Sequence, residues 1–466
     1  MKKSLKKTTL TAIFALSALA ASADDWYLSE SVLQGTETWD WSNGENWGQS
    51  SSTAKPSADT NLWILFETNG KNKSTLSSGF TANEVKFTNT GNMDINWASY
   101  DSGSGNANIT LNKLTFDNTR SVSDTKINLY TTETRKTGET ITKVNENGDK
   151  VTVDVTKTVT QSLTINGDIN VIANTEAAQI IDMYSNGTVN GVNYAFHVKG
   201  NLNITNKKAK DNFIWTGQTV IDGVINMKSA DAEKSGARLA LQLWNQTIGG
   251  LSDCGEKNVH VISTHWGGGV TFTNKTDQTW SGTIENKKME LRYAGTAMQR
   301  LEVVSGEFDN VRISNGRLEL AMSSSAVNGN FSISGGVFDN DGEINFVDAS
   351  FGGGKVNFDN AADKINISGT AMKNASGNLE IDFNGLVIEA DKVYEIISAA
   401  LVDSSFKSDA SDIIGSGYDS DKFLLNFAWA GTTLTAKFTA AVPEPATVAA
   451  ILGAIALAFA AYRRRK

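Results

Sequence analysis

Short runs in which every second residue is apolar fill most of the chain. Leu163, Ile165, Ile169 and Val171 alternate with polar neighbours, as do Phe196, Val198, Leu202 and Ile204, then Val311, Ile313, Leu318 and Leu320, then Phe331 and Ile333. Successive side chains of a strand point to opposite faces, so alternation over about four to eight residues predicts half-buried strands. Between these runs stand Asn166-Gly167, Gly200-Asn201, Asn315-Gly316 and Gly335-Gly336, steps suited to tight or left-handed turns. No long stretch before the last apolar run keeps apolar residues at helical spacing. The body is therefore predicted to be all-β.

Two architectures fit this pattern: hairpin-connected sandwiches, or short strands coiled into a solenoid. Asn-Gly and Asp-Gly steps alone suit hairpins. Abundant Asn, the absence of Pro between Ala58 and Ala441, and the units Gly342–Phe346, Gly354–Phe358 and Lys364–Ile367 favour the coil. The expectation is an elongated right-handed parallel β-helix, each coil burying its inward side chains against the next, with Asn, Gly and Ser at the corners. It divides into a signal segment 1–23, a Trp-rich cap 24–100, a coiled body 101–385, a β cap 386–441 and a tail 442–466. Thr131 to Gln161, rich in Thr, Lys and Glu with Asn147-Gly148 at its centre, is predicted to be a polar hairpin inserted in the body. Near the end, strands are predicted at Phe423–Phe427 and Thr433–Phe438.

The two termini carry addresses. Lys2, Lys3, Lys6 and Lys7 precede an apolar run from Leu10 to Ala20, and Ala21-Ser22-Ala23 stands before Asp24. Small residues at Ala21 and Ala23 suit a signal peptidase, which predicts cleavage before Asp24 and export. The tail reads Pro443-Glu444-Pro445, then apolar residues from Ala446 to Tyr462, then Arg463, Arg464, Arg465 and Lys466. Those apolar residues are predicted to form a transmembrane helix 446–462, about 25 Å long, with the basic cluster as its cytoplasmic stop. Pro443 and Pro445 hold the preceding segment extended and open to a processing enzyme.

This tail closely resembles the PEP-CTERM sorting signal, in which a Pro-Glu-Pro tripeptide, a membrane helix and an Arg-rich end mark a protein for an exosortase. The match covers Pro443, Glu444 and Pro445 residue for residue. The resemblance implies that these three are recognition residues, that the chain is a substrate of a membrane-embedded sorting enzyme, and that it ends at the cell surface or in an extracellular polysaccharide matrix. Toward the front, Trp39-Asp40-Trp41-Ser42-Asn43-Gly44-Glu45-Asn46-Trp47 and the later Pro56 and Asp59 resemble the opening of autotransporter-like β-helical surface proteins. The indoles of Trp39, Trp41 and Trp47 are expected to line the cap of the first coil; the alternative is that their faces stack on sugars. The ending from Leu386 is similar to the terminal cap of autotransporter passenger regions.

Composition narrows the function further. With the eight terminal basic residues and Glu444 set aside, 34 basic and 50 acidic residues remain, a net of −16 that disfavours nucleic acid as a partner. One cysteine, Cys254, forms no intrachain disulfide, and no Cys pair or HExxH phrase predicts a metal. His197, His260 and His265 stand without a catalytic context, and no nucleophile elbow or phosphate loop occurs. Asp309, Asp339, Asp341 and Asp359 fall in turn phrases that Asx turns explain. The reading is a sorted structural or adhesive surface protein, with no cofactor and no catalytic residue expected. Its expected partners are signal peptidase, an exosortase-type enzyme, the membrane and extracellular polysaccharide. A glycan-binding module or a β-helical polysaccharide lyase or hydrolase is the alternative, the latter requiring carboxylates stacked on successive coils.

Overall fold

The computed structural model describes residues 24–464 except 29–38, 42, 50–53, 67–73, 76–78, 90–91, 98–107, 122–124, 131, 161, 174–178, 185–195, 207–212, 217–218, 230–237, 242–245, 265–268, 286–288, 307, 323–328, 375–376 and 442–444. Ala21, Ala23, Pro443, Glu444, Arg465, Lys466 and His265 lie outside the described residues. Among those described, the elements are strands except for a 3₁₀ turn, Gly44–Trp47, and one helix, Pro445–Arg463. The chain divides into two compact units, residues 1–309 with 322–324, and 310–321 with 325–466.

In the first unit short strands pair in parallel, each with the strand one turn of chain later. Ile165 lies beside Val198, then Ile221, Ile248, Phe272 and Tyr293. All six are buried, so an inward-facing column crosses six turns without a polar interruption. At about 1.5–3 kcal/mol for each buried aliphatic or aromatic side chain, such columns are the main source of cohesion. The polar residues between them form columns of their own on the outer face. Lys199 donates to Asn166 (2.9 Å), Asn166 to Asn112 (3.4 Å), Asn112 to Asn83 (3.3 Å), Asn83 to Asn61 (2.9 Å) and Asn61 to Asp25 (2.8 Å). Every amide in this ladder points the same way, from an ammonium to a carboxylate, so each bond polarises the next. Asn61 and then Trp63 hold the Asp25 carboxyl below its usual range by hydrogen bonding. A second ladder joins Asn226 to Asn203 (2.8 Å) and Asn203 to Asn170 (2.9 Å).

The corners depend on glycine. Gly167, Gly200, Gly223 and Gly249 stack so closely that a Cβ at Gly223 would lie 2.3 Å from the Gly200 carbonyl oxygen, and one at Gly249 would lie 2.1 Å from that of Asp222. Their amides bond to the turn before: Gly200 to Gly167 (3.1 Å) and Gly223 to Gly200 (3.1 Å). The Asn-Gly and Asp-Gly steps thus turn coil corners here, although the same steps also suit hairpins.

One hairpin does occur where the sequence places it. Thr132–Val144 and Lys150–Thr160 pair antiparallel, and among the described residues this two-stranded sheet has no third strand. Its turn is closed by Asn145, which donates its amide to the Asp149 carbonyl (2.9 Å) and accepts at Oδ1 from the Asp149 amide (2.8 Å).

The second unit has the same parallel logic with an aromatic core. Phe331–Ile333 lies between Val311–Ile313 and Ala349–Phe351, and a second parallel sheet runs through Arg317–Met322, Val337–Asp341, Lys355–Asn357, Leu379–Asp382 and Ile413–Ser416. Phe331 packs on Phe338, Phe346 and Phe351 at centroid distances of 4.7, 4.8 and 5.8 Å. Pairing then reverses. Val393–Val402 is parallel to Lys364–Lys373 but antiparallel to Thr433–Ala440, which in turn pairs antiparallel with Phe423–Ala430. The two predicted terminal strands are these last two, the first running on to Ala430 and the second to Ala440, with a turn between them at Gly431, whose φ of 68° only glycine adopts freely.

The tail corrects one expectation. The apolar run 446–462 is helical within Pro445–Arg463, but among the described residues no helix is long and apolar enough to cross a membrane. Side chains are described only from Ala449 onward, and that part falls short of the roughly 20 apolar residues a span needs. Its described side chains are exposed, Leu457 at 73% and Phe459 at 70%.

Candidate functional site

The tryptophans of the opening motif fold inward. Asn43 Oδ1 accepts the Glu45 amide (3.0 Å) and starts the 3₁₀ turn Gly44–Trp47, which Gly48 ends with φ 70°. That turn places Trp47 against Trp41 (5.4 Å) and Trp39 (5.7 Å), its indole N–H donating to the Trp41 carbonyl (3.1 Å). Trp41 also stacks on Phe80 (5.7 Å, interplanar angle 7°) and meets Trp97 edge-on (5.3 Å). Trp39, Trp41 and Trp47 are 6%, 0% and 1% exposed. Their faces are covered by one another, so the sugar-stacking alternative is corrected for these three: they are a local core. Trp63 is more open, donating to Asp25 (2.9 Å) with Lys86 Nζ 5.3 Å from its ring.

The two described histidines are each held by a neighbour in the fold. His260 is fully buried, with Nε2 3.4 Å from the Asp253 carbonyl oxygen and 3.6 Å from Glu256, and burial lowers its pKa. His197 Nε2 lies 2.9 Å from Asp222 on the outer face. Cys254 is exposed on a turn, with φ 53°.

Two of the four singled-out aspartates converge in the second unit. Asp339 is 2% exposed; Arg317 donates to its Oδ2, and its Oδ1 has no hydrogen-bond partner among the described residues. Asn357 donates to Asp359 (3.0 Å), whose charge bears on Asp339. Asp309 and Asp341 are exposed. The third member is Asp363, which sequence reasoning missed. It accepts the Gly342 amide at Oδ1 (2.9 Å) and the Asn360 amide at Oδ2 (2.9 Å). Burial raises the pKa of Asp339, partly opposed by Arg317, and burial with the charges of Asp359 and Asp339 pushes Asp363 up to about 6. Among the described residues no group of three His, Cys, Asp or Glu side chains is arranged to hold a metal.

A notch of about 230 Å³ lies on the outer face of the same unit. It follows from side-chain length in register: Arg312, Ser332, Ser350 and Met372 are neighbours across four strands, and the two serines leave a gap between the long side chains. Asn310, Asn330 and Asp348 line its edge. These last three are themselves tied: Asn310 Oδ1 accepts the Asn330 amide (2.9 Å), and Asp348 Oδ1 accepts the Thr370 amide (2.7 Å). The notch offers donors, acceptors and one apolar wall to a polar ligand. Sequence reasoning missed it because Ser332 and Ser350 gain meaning only once the coil register is known.

Comparison with protein-family models, curated proteins and solved structures finds no match.

Proposed function

We propose that this chain is an exported bacterial surface or extracellular-matrix protein, structural or adhesive, sorted through its PEP-CTERM-like tail. The observation that carries the reading is the helix Pro445–Arg463, which follows the last β-strand, exposes its described apolar side chains, and continues into exposed Arg463 and Arg464. Exposed apolar surface of this kind calls for a non-aqueous neighbour. With the sequence Pro443-Glu444-Pro445 ahead of it and arginines behind it, this exposed apolar helix supports recognition by a membrane-embedded sorting enzyme. At the other end, Asp24 already belongs to the first strand and donates to the Asp59 carbonyl (2.9 Å), so cleavage after Ala23 leaves that strand whole. We take the parallel sheets to wind as a right-handed β-helix, since parallel crossovers are almost always of that hand.

Deleting Pro443-Glu444-Pro445 tests the sorting reading. The expected result is that the variant stays in the inner membrane at its full tail mass while the wild type reaches the surface. Identical fractionation and migration of the two would reduce the tail to an anchor.

A glycan-binding role is favoured by the notch at Arg312, Ser332, Ser350 and Met372. Ser332→Trp fills it, and the expected result is lost retention on the host's extracellular polysaccharide with unchanged stability. Undiminished retention would remove the notch from the account.

A further inference from the structure

We propose that the hairpin Thr132–Val144/Lys150–Thr160 is a self-association arm, pairing through the outer edge of Lys150–Asp154 with the same edge of a second copy. This inference does not rest on the sorting reading. It starts from the phase of the hairpin's own hydrogen bonds. Because Asn145 bonds to Asp149, the pairs Lys143/Val151 and Ile141/Val153 are the hydrogen-bonded ones. The backbone N–H and C=O groups of Lys150, Thr152 and Asp154 therefore point outward from the ribbon.

That edge is complementary to itself. An antiparallel pairing with Thr152 on the two-fold axis sets Thr152 against Thr152, Lys150 against Asp154 of the second copy, and Val151 against Val153 of the second copy. Each is a stabilising cross-strand pair, and the symmetry supplies both charge pairs at once. One face of the ribbon carries Ile141, Val151 and Val153, with Ile141 45% exposed. Pairing merges two such faces into one apolar patch of six side chains. A two-stranded ribbon alone is marginal in water, and a four-stranded one is not.

The opposite edge fits less well. Between Thr140 and Lys136 the ladder register shifts, so that Thr137, Gly138 and Glu139 oppose Val155 alone. A bulge of this kind blunts an edge against pairing. The regular part beyond it turns Thr140, Thr142 and Val144 outward, which brings no opposite charges together. Charge also favours the arm as the meeting point. Residues 132–160 contain five basic and five acidic side chains, whereas the chain without its eight terminal basic residues and Glu444 carries −16, so the arm is where two acidic molecules approach without repulsion. In the proposed register the second copy's turn residue Asn147 lies beside Lys157, before the base of the hairpin at Thr160.

The test uses full-length protein in detergent, with Cys254→Ser throughout. Opposed residues of a hydrogen-bonded antiparallel pair have Cα atoms about 5.5 Å apart, within disulfide range. Thr152→Cys is expected to give a disulfide-linked dimer under mild oxidation, and Thr142→Cys, on the other strand, is not. Lys150→Glu sets like charges against Asp154 twice and is expected to weaken dimerisation roughly tenfold by sedimentation equilibrium. Lys150→Glu with Asp154→Lys reverses both partners and is expected to restore it, which association through the apolar tail helix would not do. Monomer at every concentration, equal cross-linking at residues 142 and 152, or an unchanged dimer constant in Lys150→Glu would each overturn the proposal.

Discussion

Asp363 shows how far a single buried carboxylate sets the response of the second unit to pH. Its folded pKa is raised to about 6 by burial and by Asp359 and Asp339, above its ordinary value of 3.8. The folded state therefore binds the proton more tightly than the unfolded state. That contribution is complete below pH 3.8 and is lost as pH rises through 6, a change on the order of 3 kcal/mol. The melting temperature of the second unit is expected to fall between pH 5 and pH 7.5, and Asp363→Asn to flatten that fall; a wild-type profile flat over this range would contradict the assignment. Carboxylates with lowered pKa, such as Asp117 and Glu302, act in the opposite sense and at lower pH. In the sequence Asp363 looks like a solvated charge ahead of a strand, because the Gly342 amide that it accepts is 21 residues away. Asp339 and Asp359 were visible as turn aspartates, but their meeting was not, since it depends on how one coil lies on the next. Trp41 gives the contrasting case of a motif whose residues were legible and whose role was decided by packing. Trp41→Ala is expected to cost about 3–5 kcal/mol in unfolding experiments, the range for emptying an aromatic site, while leaving polysaccharide retention unchanged.

At the scale of the elements, alternation gave the strands and the Asn-Gly steps gave the corners, yet no repeat period could be written. The coil spacing explains this. Equivalent asparagines are 33 residues apart from Asn170 to Asn203 and 23 apart from Asn203 to Asn226, and in the second unit coil partners are separated by 20, 18 and 22 residues. Extra residues leave the register of the sheets unchanged while erasing any period in the sequence. The asparagine ladder carries its own prediction. Asn83 donates to Asn61 and accepts from Asn112, so Asn83→Ala is expected to destabilise the first unit by about 1 kcal/mol. Asn83→Asp removes the donor and turns an acceptor toward the Asn61 oxygen, and should cost more than alanine at neutral pH. The reverse order would show that the ladder has no direction. The stacked corners are stricter. Gly223→Ala drives a Cβ into the Gly200 carbonyl and is expected to cost about 1–3 kcal/mol by thermal unfolding, as overpacking does.

For the whole molecule, charge and the two ends matter more than any pocket. A body at −16 is expected to pass through heparin at low salt without retention, and tight binding there would contradict the exclusion of polyanionic partners. The proposed addresses rest on linear sequence alone: a basic start, an apolar run and small residues at Ala21 and Ala23, then Pro443-Glu444-Pro445 before an apolar run and arginines. What the β-body touches was less legible, because its outer face is built from residues brought together across coils. The account stands or falls on export and sorting. The most direct test is the intact mass, with peptide mapping of both ends, of the protein recovered from the surface of its native host. The account predicts a chain that begins at Asp24 and lacks everything beyond the neighbourhood of Pro443; a chain retaining both Met1 and Lys466 would contradict it.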